Sequence, residues 1–140
     1  MNTPLAKATL THLATLESLE VEWNPESYSV AKLSRLSTPA LPGSGASPLD
    51  LAPGGTERFR TRLLLDATEE AGPRRDLRRV LDRLESWAEP AANDSVPPPL
   101  LFVWGTFRFR GVIEELHEDH VLFDADGTPV RAWVELALRR

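Results

Sequence analysis

The segment that most constrains the fold is residues 97–116, with the sequence PPPLLFVWGTFRFRGVIEEL. Three prolines open it, and proline neither donates a ladder hydrogen bond nor fits a helix interior. The richest aromatic and aliphatic run of the chain follows these prolines. We therefore predict one long strand, or two strands bent at Gly105, in the middle of an apolar layer.

The two faces of this predicted strand differ, because successive side chains point to opposite sides of a strand. One face holds Val103, Gly105, Phe107 and Phe109, and the other holds Phe102, Trp104, Thr106, Arg108 and Arg110. The first face is apolar throughout, whereas the second changes from aromatic to basic. A basic strand face is typical of a solvated surface or of a contact between subunits.

The composition fits one domain over residues 1–140, with 41% hydrophobic residues for a core. A net charge of −5 disfavours a general nucleic-acid-binding protein. Cysteine is absent, which excludes disulfides and thiolate metal sites. The chain has neither an apolar run long enough for membrane insertion nor a signal peptide at its start, which predicts assembly in the cytoplasm.

The first third of the chain predicts a hairpin and an edge strand. Residues 7–13 and 19–23 alternate and form the hairpin, which Asn24 and Pro25 end because a residue before proline avoids helical backbone. Residues 29–36 follow with a poor alternation that is typical of an edge strand.

Two long loops rich in proline and glycine are predicted at about residues 37–55 and 89–99. The first contains Pro39, Pro42 and Pro48 and exceeds an ordinary connection in length. Loops of this length are usually functional, disordered or ordered by a partner.

Between these loops the pattern predicts a strand and one helix. In residues 56–65, Phe59, Thr61, Leu63 and Leu65 alternate with Arg58, Arg60 and Arg62, so three arginines face water or an acidic partner. Residues 76–88 repeat apolar side chains at helical spacing, with prolines on both sides.

The last part of the chain predicts a tip at residues 117–120, a turn at residues 124–128 and a strand at residues 129–138. The total is seven or eight strands and one helix. This pattern predicts a mainly β fold, an antiparallel β-barrel that is closed or nearly closed, with the α-helix flanking it. The predicted core is Leu63, Leu65, Leu77, Leu81, Leu84, Trp87, Val103, Trp104, Val134 and Leu136.

Catalytic and metal chemistry is not indicated by any motif. His117 and His120 have a spacing that suits a metal site on a helix, but at a hairpin tip their side chains diverge. Asp124 and Asp126 resemble part of a calcium loop that lacks its distal glutamate, and a turn at Gly127 explains them. The sequence has no phosphate-binding loop and no hydrolase elbow. We therefore predict a protein that is not an enzyme and has no cofactor.

Five segments carry a resemblance to a known family. They are VEWNPESYSV (residues 21–30), RTRLLLD (60–66), PPLLFVWG (98–105), FRGVIE (109–114) and LFDADGTPVRA (122–132). Trp23 occupies the aromatic position ahead of Asn-Pro-x-x-Tyr. Together, these segments resemble the contractile injection system tube-protein family, which supplies baseplate adaptor or tube-initiator rings of phage-tail-like particles.

The resemblance implies a tail-tube β-barrel that assembles as a hexameric ring around a lumen. Its implied partners are other copies of the chain, a spike or hub protein, and the inner tube or a second initiator protein. Nucleic acid and direct membrane insertion are not implied. Many family members carry a peptidoglycan-binding LysM module after this domain, and this sequence ends at Arg140 without one.

The predicted strand edges and arginine-lined faces also indicate assembly into a ring. A monomer rarely leaves so many backbone and charged groups available for contact with another chain. We place subunit and partner contacts at Asn24, Pro25, Tyr28, Pro39, Pro42, Pro48, Arg58, Arg60, Arg62, Arg108 and Arg110. The alternative is a monomeric β-barrel that binds a small ligand or a peptide in its mouth.

Overall fold

A computed structural model describes residues 5–21, 25–34 and 56–140. These residues form the strands β1 (Thr9–His12), β2 (Ser18–Glu20), β3 (Tyr28–Leu33), β4 (Thr56–Asp66), β5 (Leu100–Trp104), β6 (Phe107–Phe123) and β7 (Pro129–Arg139). The helix α1 (Arg78–Trp87) follows a 3-10 turn at Gly72–Arg75. The strands form one antiparallel sheet in the order β2-β1-β5-β6-β7-β4-β3.

The mainly β fold with one α-helix is confirmed for the described residues, but the sheet is not closed into a barrel. It is strongly curved instead. Phe59 of β4 and Phe102 of β5 have ring centroids 4.6 Å apart although two strands separate β4 from β5 in the sheet. The sheet therefore wraps around an aromatic core while β2 and β3 remain at its two edges.

The segment of residues 97–116 folds as a hairpin, so the prediction of a single apolar face along it is wrong. A two-residue turn at Gly105 and Thr106 joins β5 to β6, with Gly105 at a φ of 62°. Trp104 lies opposite Phe107, and Phe102 lies opposite Phe109. Because a two-residue turn inverts the parity, even-numbered residues face the core in β5 and odd-numbered residues face it at the start of β6.

The inverted parity also corrects two members of the predicted core. Val103 lies opposite Arg108 on the outer face and is half-buried. Trp104 is half-buried at the margin of the core. The remaining predictions are confirmed as buried, namely Leu63, Leu65, Leu77, Leu81, Leu84, Trp87, Val134 and Leu136.

β6 is longer than predicted, and the expected tip at residues 117–120 lies inside it, paired with β7. The register of this pairing shifts between Ile113 and Glu115 and again after His120. The true end of the hairpin is the predicted turn at residues 124–128. There, the amide of Asp124 donates to the carbonyl of Thr128 at 2.9 Å, and Gly127 has a φ of 89°.

The helix α1 packs against the same face of the sheet as the aromatic core. Leu81, Leu84 and Trp87 are buried in that core, as the helical spacing predicts. The ring of His12 meets Trp87 edge-on at 5.6 Å, and the amide of Leu77 donates to the carbonyl of Pro129 at 3.1 Å. The helix is therefore held to both β1 and the start of β7.

The remaining segments largely follow their patterns. β1 pairs with β2 as the predicted hairpin, and β3 is the predicted edge strand. Residues 89–99 contain no helix or strand. The predicted loop at residues 37–55 lies outside the described residues. In the described part of the chain, no helix is both long and apolar enough to cross a membrane.

Candidate assembly interface

The first candidate contact surface is the edge strand β3. All six of its residues are exposed, and among the described residues it pairs only with β4. The ring of Tyr28 stacks on Phe107 at 4.3 Å and meets Trp104 at 6.0 Å. β3 is therefore anchored by one end to the aromatic core, while its outer side presents unpaired backbone groups to another strand.

A second open edge lies along β6. β5 covers only residues 107–111 of this strand, whereas its pairing with β7 occupies residues 112–123. In the described chain, residues 112–123 therefore have no strand on their other side. β3 and this part of β6 are two unlike edges of one sheet.

The predicted arginines of β4 lie on the outer face and have partners within the chain. Arg58 is 3.1 Å from Glu114, and Arg60 is 3.0 Å from Glu115. Both ion pairs reach across β7, whose buried Ala137 lies directly opposite Arg60. Exposed pairs of this kind contribute about 0–1 kcal/mol each to stability. They set the positions of these side chains more than they stabilise the fold.

The third arginine of this row, Arg62, places its guanidinium 4.1 Å above the ring of Trp133. A cation over an indole face is attracted by the quadrupole of the ring. The outer face of β4 and β7 therefore presents an ordered polar surface. Its arginines are fixed by glutamates and an aromatic ring of the same chain.

The predicted arginines of β6 lie elsewhere, on the outer face of the β5–β6 hairpin. Arg108 and Arg110 face outward opposite Val103 and Leu101, and they form no ion pair with any described residue. Arg110 borders a groove of about 620 Å³ together with Arg139 and Arg140. The two predicted sets of arginines therefore differ: those of β4 have partners within the chain, whereas those of β6 have no ion-pair partner among the described residues.

Only two of the other predicted contact residues lie in the part of the chain that the structure describes. Tyr28 opens β3 and is exposed, whereas Pro25 is buried just ahead of it. Asn24, Pro39, Pro42 and Pro48 lie outside the described residues. The assignment of all these residues to a subunit contact remains a prediction.

A comparison with known protein families matches residues 5–140 to the contractile injection system tube protein. The chain belongs to the contractile injection system tube protein family. It is therefore a structural component of such a particle and assembles with other components of it. A comparison with curated proteins finds no match.

One buried carboxyl of this tube protein was missed by the sequence analysis. Glu118 lies in β6 on the inner face, near Glu85 of α1, and its Oε1 is buried without a hydrogen-bond partner among the described residues. Burial, and then the nearby carboxyl of Glu85, raise the pKa of Glu118 to about 7. Arg78 opposes this shift, and Asp82 adds to it. At neutral pH, Glu118 is therefore protonated in a large fraction of the molecules.

The signal for Glu118 was present in the sequence but depended on the right secondary structure. Read as a strand, residues 116–120 alternate, and Leu116, Glu118 and His120 fall on one face. His120 lies 3.7 Å from Glu118, whereas His117 bonds to Asp119 on the other face at 3.2 Å. The two histidines thus diverge. Among the described residues, no group of three or more potential ligands is placed to hold a metal ion.

The turn end of the β6–β7 hairpin is fastened to the rest of the tube protein. Arg75 donates two hydrogen bonds of 2.7 Å to the carboxylate of Asp124 and a third of 2.8 Å to the carbonyl of Thr68. The hydrogen bond from Arg75 lowers the pKa of Asp124. Arg131 and Asp66 pair nearby at 2.8 Å. This turn is therefore held in place by contacts with the segment of Thr68 and Arg75.

Proposed function

We propose that this tube protein forms a closed ring that serves as the baseplate adaptor or tube initiator between the spike hub and the inner tube. The observation that carries the proposal is the pair of unlike open edges on one sheet, β3 and residues 112–123 of β6. A head-to-tail contact between two different surfaces closes into a ring when the rotation between copies divides a full turn.

Pairing of these edges would satisfy groups that the isolated chain leaves open. Among the described residues, the outer side of β3 has no strand partner, and an unprotected edge is a template for pairing with another chain. Val30 and Leu33 are 47% and 53% exposed on this strand. A neighbouring strand would bury them.

The two edges differ in how much charge they carry. β3 contains one charged residue, Lys32, whereas residues 112–123 of β6 contain Glu114, Glu115, Glu118 and Asp119. Like charges would face each other if β6 paired with another β6, whereas the nearly uncharged β3 adds no such repulsion. A contact between unlike edges is therefore favoured over a contact between like ones.

The outer face of β4 and β7 fits the wall of a lumen. Arg60, Arg62 and Glu135 give it a polar, ordered surface. On the opposite face, Phe59, Phe102 and Leu10 are fully buried, so the concave side is filled by the chain's own side chains. This packing favours a ring component over a barrel with a ligand in its mouth.

We propose six copies for the ring, with the hub on one of its faces and the inner tube, or a second initiator, on the other. Assembly takes place in the cytoplasm before the finished particle reaches its final location. These details follow the resemblance of the sequence to baseplate adaptors and tube initiators.

The experiment measures the mass of the purified chain and of an edge variant by native mass spectrometry and mass photometry. Val30→Lys with Leu33→Lys places charge on the exposed positions of β3, which blocks strand pairing without changing the core. We expect a ring from the parent chain and monomers from the variant. Leu16→Lys is the matched control, because Leu16 is an exposed hydrophobic residue in the turn between β1 and β2.

A parent chain that remains monomeric at high concentration would contradict the ring. Ring formation by the doubly charged variant would show that β3 is not the contact edge. Electron microscopy of particles assembled with hub and inner tube proteins would then locate the ring within the assembly.

A further inference from the structure

The three prolines at residues 97–99 end the pairing between β5 and β6. Their nitrogens carry no hydrogen, so they cannot donate to a strand ladder. The ladder accordingly stops at the pair of Leu100 and Gly111. Beyond this pair, Val112 of β6 has β7 on one side and, among the described residues, no strand on the other. A groove of about 620 Å³ lies at this point of the molecule.

The groove combines a small apolar surface with a basic rim. Its apolar lining is Val96, Pro99 and Val112, and its rim is Arg110, Arg139 and Arg140. None of the residues that line it is acidic. The side chain of Val96 has little cover within the described chain, since this residue is 59% exposed. The net charge of the chain is −5, and the groove is therefore a local exception to the overall charge.

Arginines from two strands reach the same groove because β6 and β7 approach each other closely at Gly111. A Cβ at this position would lie 2.6 Å from the carbonyl oxygen of Arg139, so a larger residue would push the two strands apart. Arg110 precedes this glycine. Val112 follows it and lies directly opposite Arg139 on the outer face. The close approach therefore brings Arg110 of β6 and Arg139 of β7 to one site on that face.

Two of the rim arginines have no counter-charge within the described chain. Among the described residues, neither Arg110 nor Arg139 forms an ion pair. Arg140, in contrast, is 2.9 Å from Glu57 and lies 6.0 Å from the centroid of the Phe109 ring. Like charges around one groove repel each other, and a carboxylate placed between them replaces that repulsion with attraction. The charge of the groove therefore favours an anionic occupant.

The apolar lining favours an acidic protein segment over a nucleic acid. Val96, Pro99 and Val112 can cover an aliphatic side chain, whereas no aromatic residue lines the groove for a base to stack on. An extended segment also matches the spacing of the arginines. Arg108 and Arg110 both face outward on β6, and side chains two residues apart on a strand are separated by about 7 Å. Acidic residues at alternate positions of an extended segment have the same separation.

We propose that this groove binds an extended, acidic segment of another protein of the particle. Carboxylates of the segment pair with Arg110 and Arg139. An aliphatic side chain between them packs on Val96, Pro99 and Val112. The inference goes beyond the proposed ring, because the occupant is a different protein and not another copy of the chain. The two contacts are compatible, since pairing of strand edges uses backbone groups in the plane of the sheet, whereas the groove opens on the outer face.

The test measures binding of a fluorescein-labelled peptide to the full chain by fluorescence anisotropy at low salt. In the peptide, glutamate alternates with valine, and glycine and serine form both ends. The groove variant carries Arg110→Gln with Arg139→Gln. The matched control carries Arg74→Gln with Arg79→Gln, which removes the same charge from another site. Those two arginines are also exposed and have no ion-pair partner among the described residues.

We expect the parent chain and the control to bind the peptide equally, and the groove variant to bind at least about tenfold more weakly, because two charged contacts are lost. Binding to the parent chain should weaken as salt is added. A peptide with serine in place of valine should bind more weakly, because the apolar lining then stays uncovered. A peptide with lysine in place of glutamate should not bind.

Equal affinity of the parent chain and the groove variant would overturn the proposal, as would a parent chain that does not bind the peptide. Tighter binding of a single-stranded oligonucleotide than of the peptide would assign the groove to nucleic acid and overturn it as well. Mass photometry of the same samples separates the groove from the ring. Rings that bind no peptide would refute the groove alone, whereas monomers that bind the peptide would support the groove and contradict the ring.

Discussion

The pair of Glu118 and Glu85 gives a prediction whose size follows from the structure. The side chain of Glu118 is 11% exposed, with Glu85, Asp82 and Arg78 of α1 and His120 of β6 nearby. The residue opposite it on β7 is apolar. Burial and the second carboxyl raise the pKa of Glu118 from 4.5 to about 7 in the folded protein.

The sign of the effect follows from proton binding. Between these two pKa values, the folded chain holds a proton that the unfolded chain has released, so the free energy of unfolding falls as the pH rises. At about 1.4 kcal/mol per pKa unit, the full loss would be about 3 kcal/mol. Since water and Arg78 partly stabilise the charged form, we expect a loss of about 2 kcal/mol between pH 5 and pH 8.

The assay is urea unfolding at pH 5, 6, 7 and 8 for the parent chain and for Glu118→Gln. Glutamine has the shape of the protonated acid but does not ionise, so the variant should lack this part of the pH dependence. The two proteins should have similar stability at pH 5, and at pH 8 the variant should be more stable by about 2 kcal/mol. The difference in free energy of unfolding between the two proteins removes the pH dependence of all groups that they share.

Glu69→Gln is the control, because Glu69 is an exposed carboxyl outside the strands and α1. It should follow the parent chain at every pH. Parallel curves for Glu118→Gln and the parent chain would refute the reasoning, since they would show that Glu118 is ionised throughout this pH range.

Three further substitutions test the packing. Gly111→Ala should destabilise the fold by about 1–3 kcal/mol in urea unfolding, because a Cβ at this position would lie 2.6 Å from the carbonyl oxygen of Arg139; equal stability would show that the backbone can shift. Gly105→Ala should cost about 1 kcal/mol in the same assay, because its φ of 62° disfavours a side chain, and Thr106→Ala is the control. Leu81→Ala should lower stability by about 2–5 kcal/mol, because Leu81 is fully buried between helix and sheet; a smaller loss would mean that α1 detaches easily.

The sequence predicted those elements whose two faces differ clearly. β4 alternates between inner and outer residues as expected, because it has one face in the core and one in solvent. β7 does the same except near its end, where the outer-face residue Ala137 is buried as well. The helix α1 was equally clear, since its apolar residues recur at helical spacing. Its start at Arg78 is later than predicted, because Asp76 has an extended backbone with a ψ of 105°.

The sequence could not reveal features that depend on how distant residues meet. Gly105 and Thr106 form a tight turn between two apolar strands. In the sequence alone, the two strands resemble a single strand in which alternate residues keep the same face throughout. The polar residues 117–120 resemble a tip, although tertiary pairing with β7 makes them a strand and buries Glu118. The partners of Arg58 and Arg60 lie two strands away, so only the sheet order identifies them.

The openness of the sheet connects the fold to assembly. Closed barrels remove their strand edges, and open sheets commonly protect theirs with charges, prolines or bulges. In β3, the only charged side chain is Lys32, and it is engaged with Glu57 at 3.7 Å. β3 is also fixed in place, since Tyr28 stacks on Phe107 within the aromatic core. An edge that is held rigid and left almost without charge is suited to a partner strand, because little ordering is needed when that strand binds.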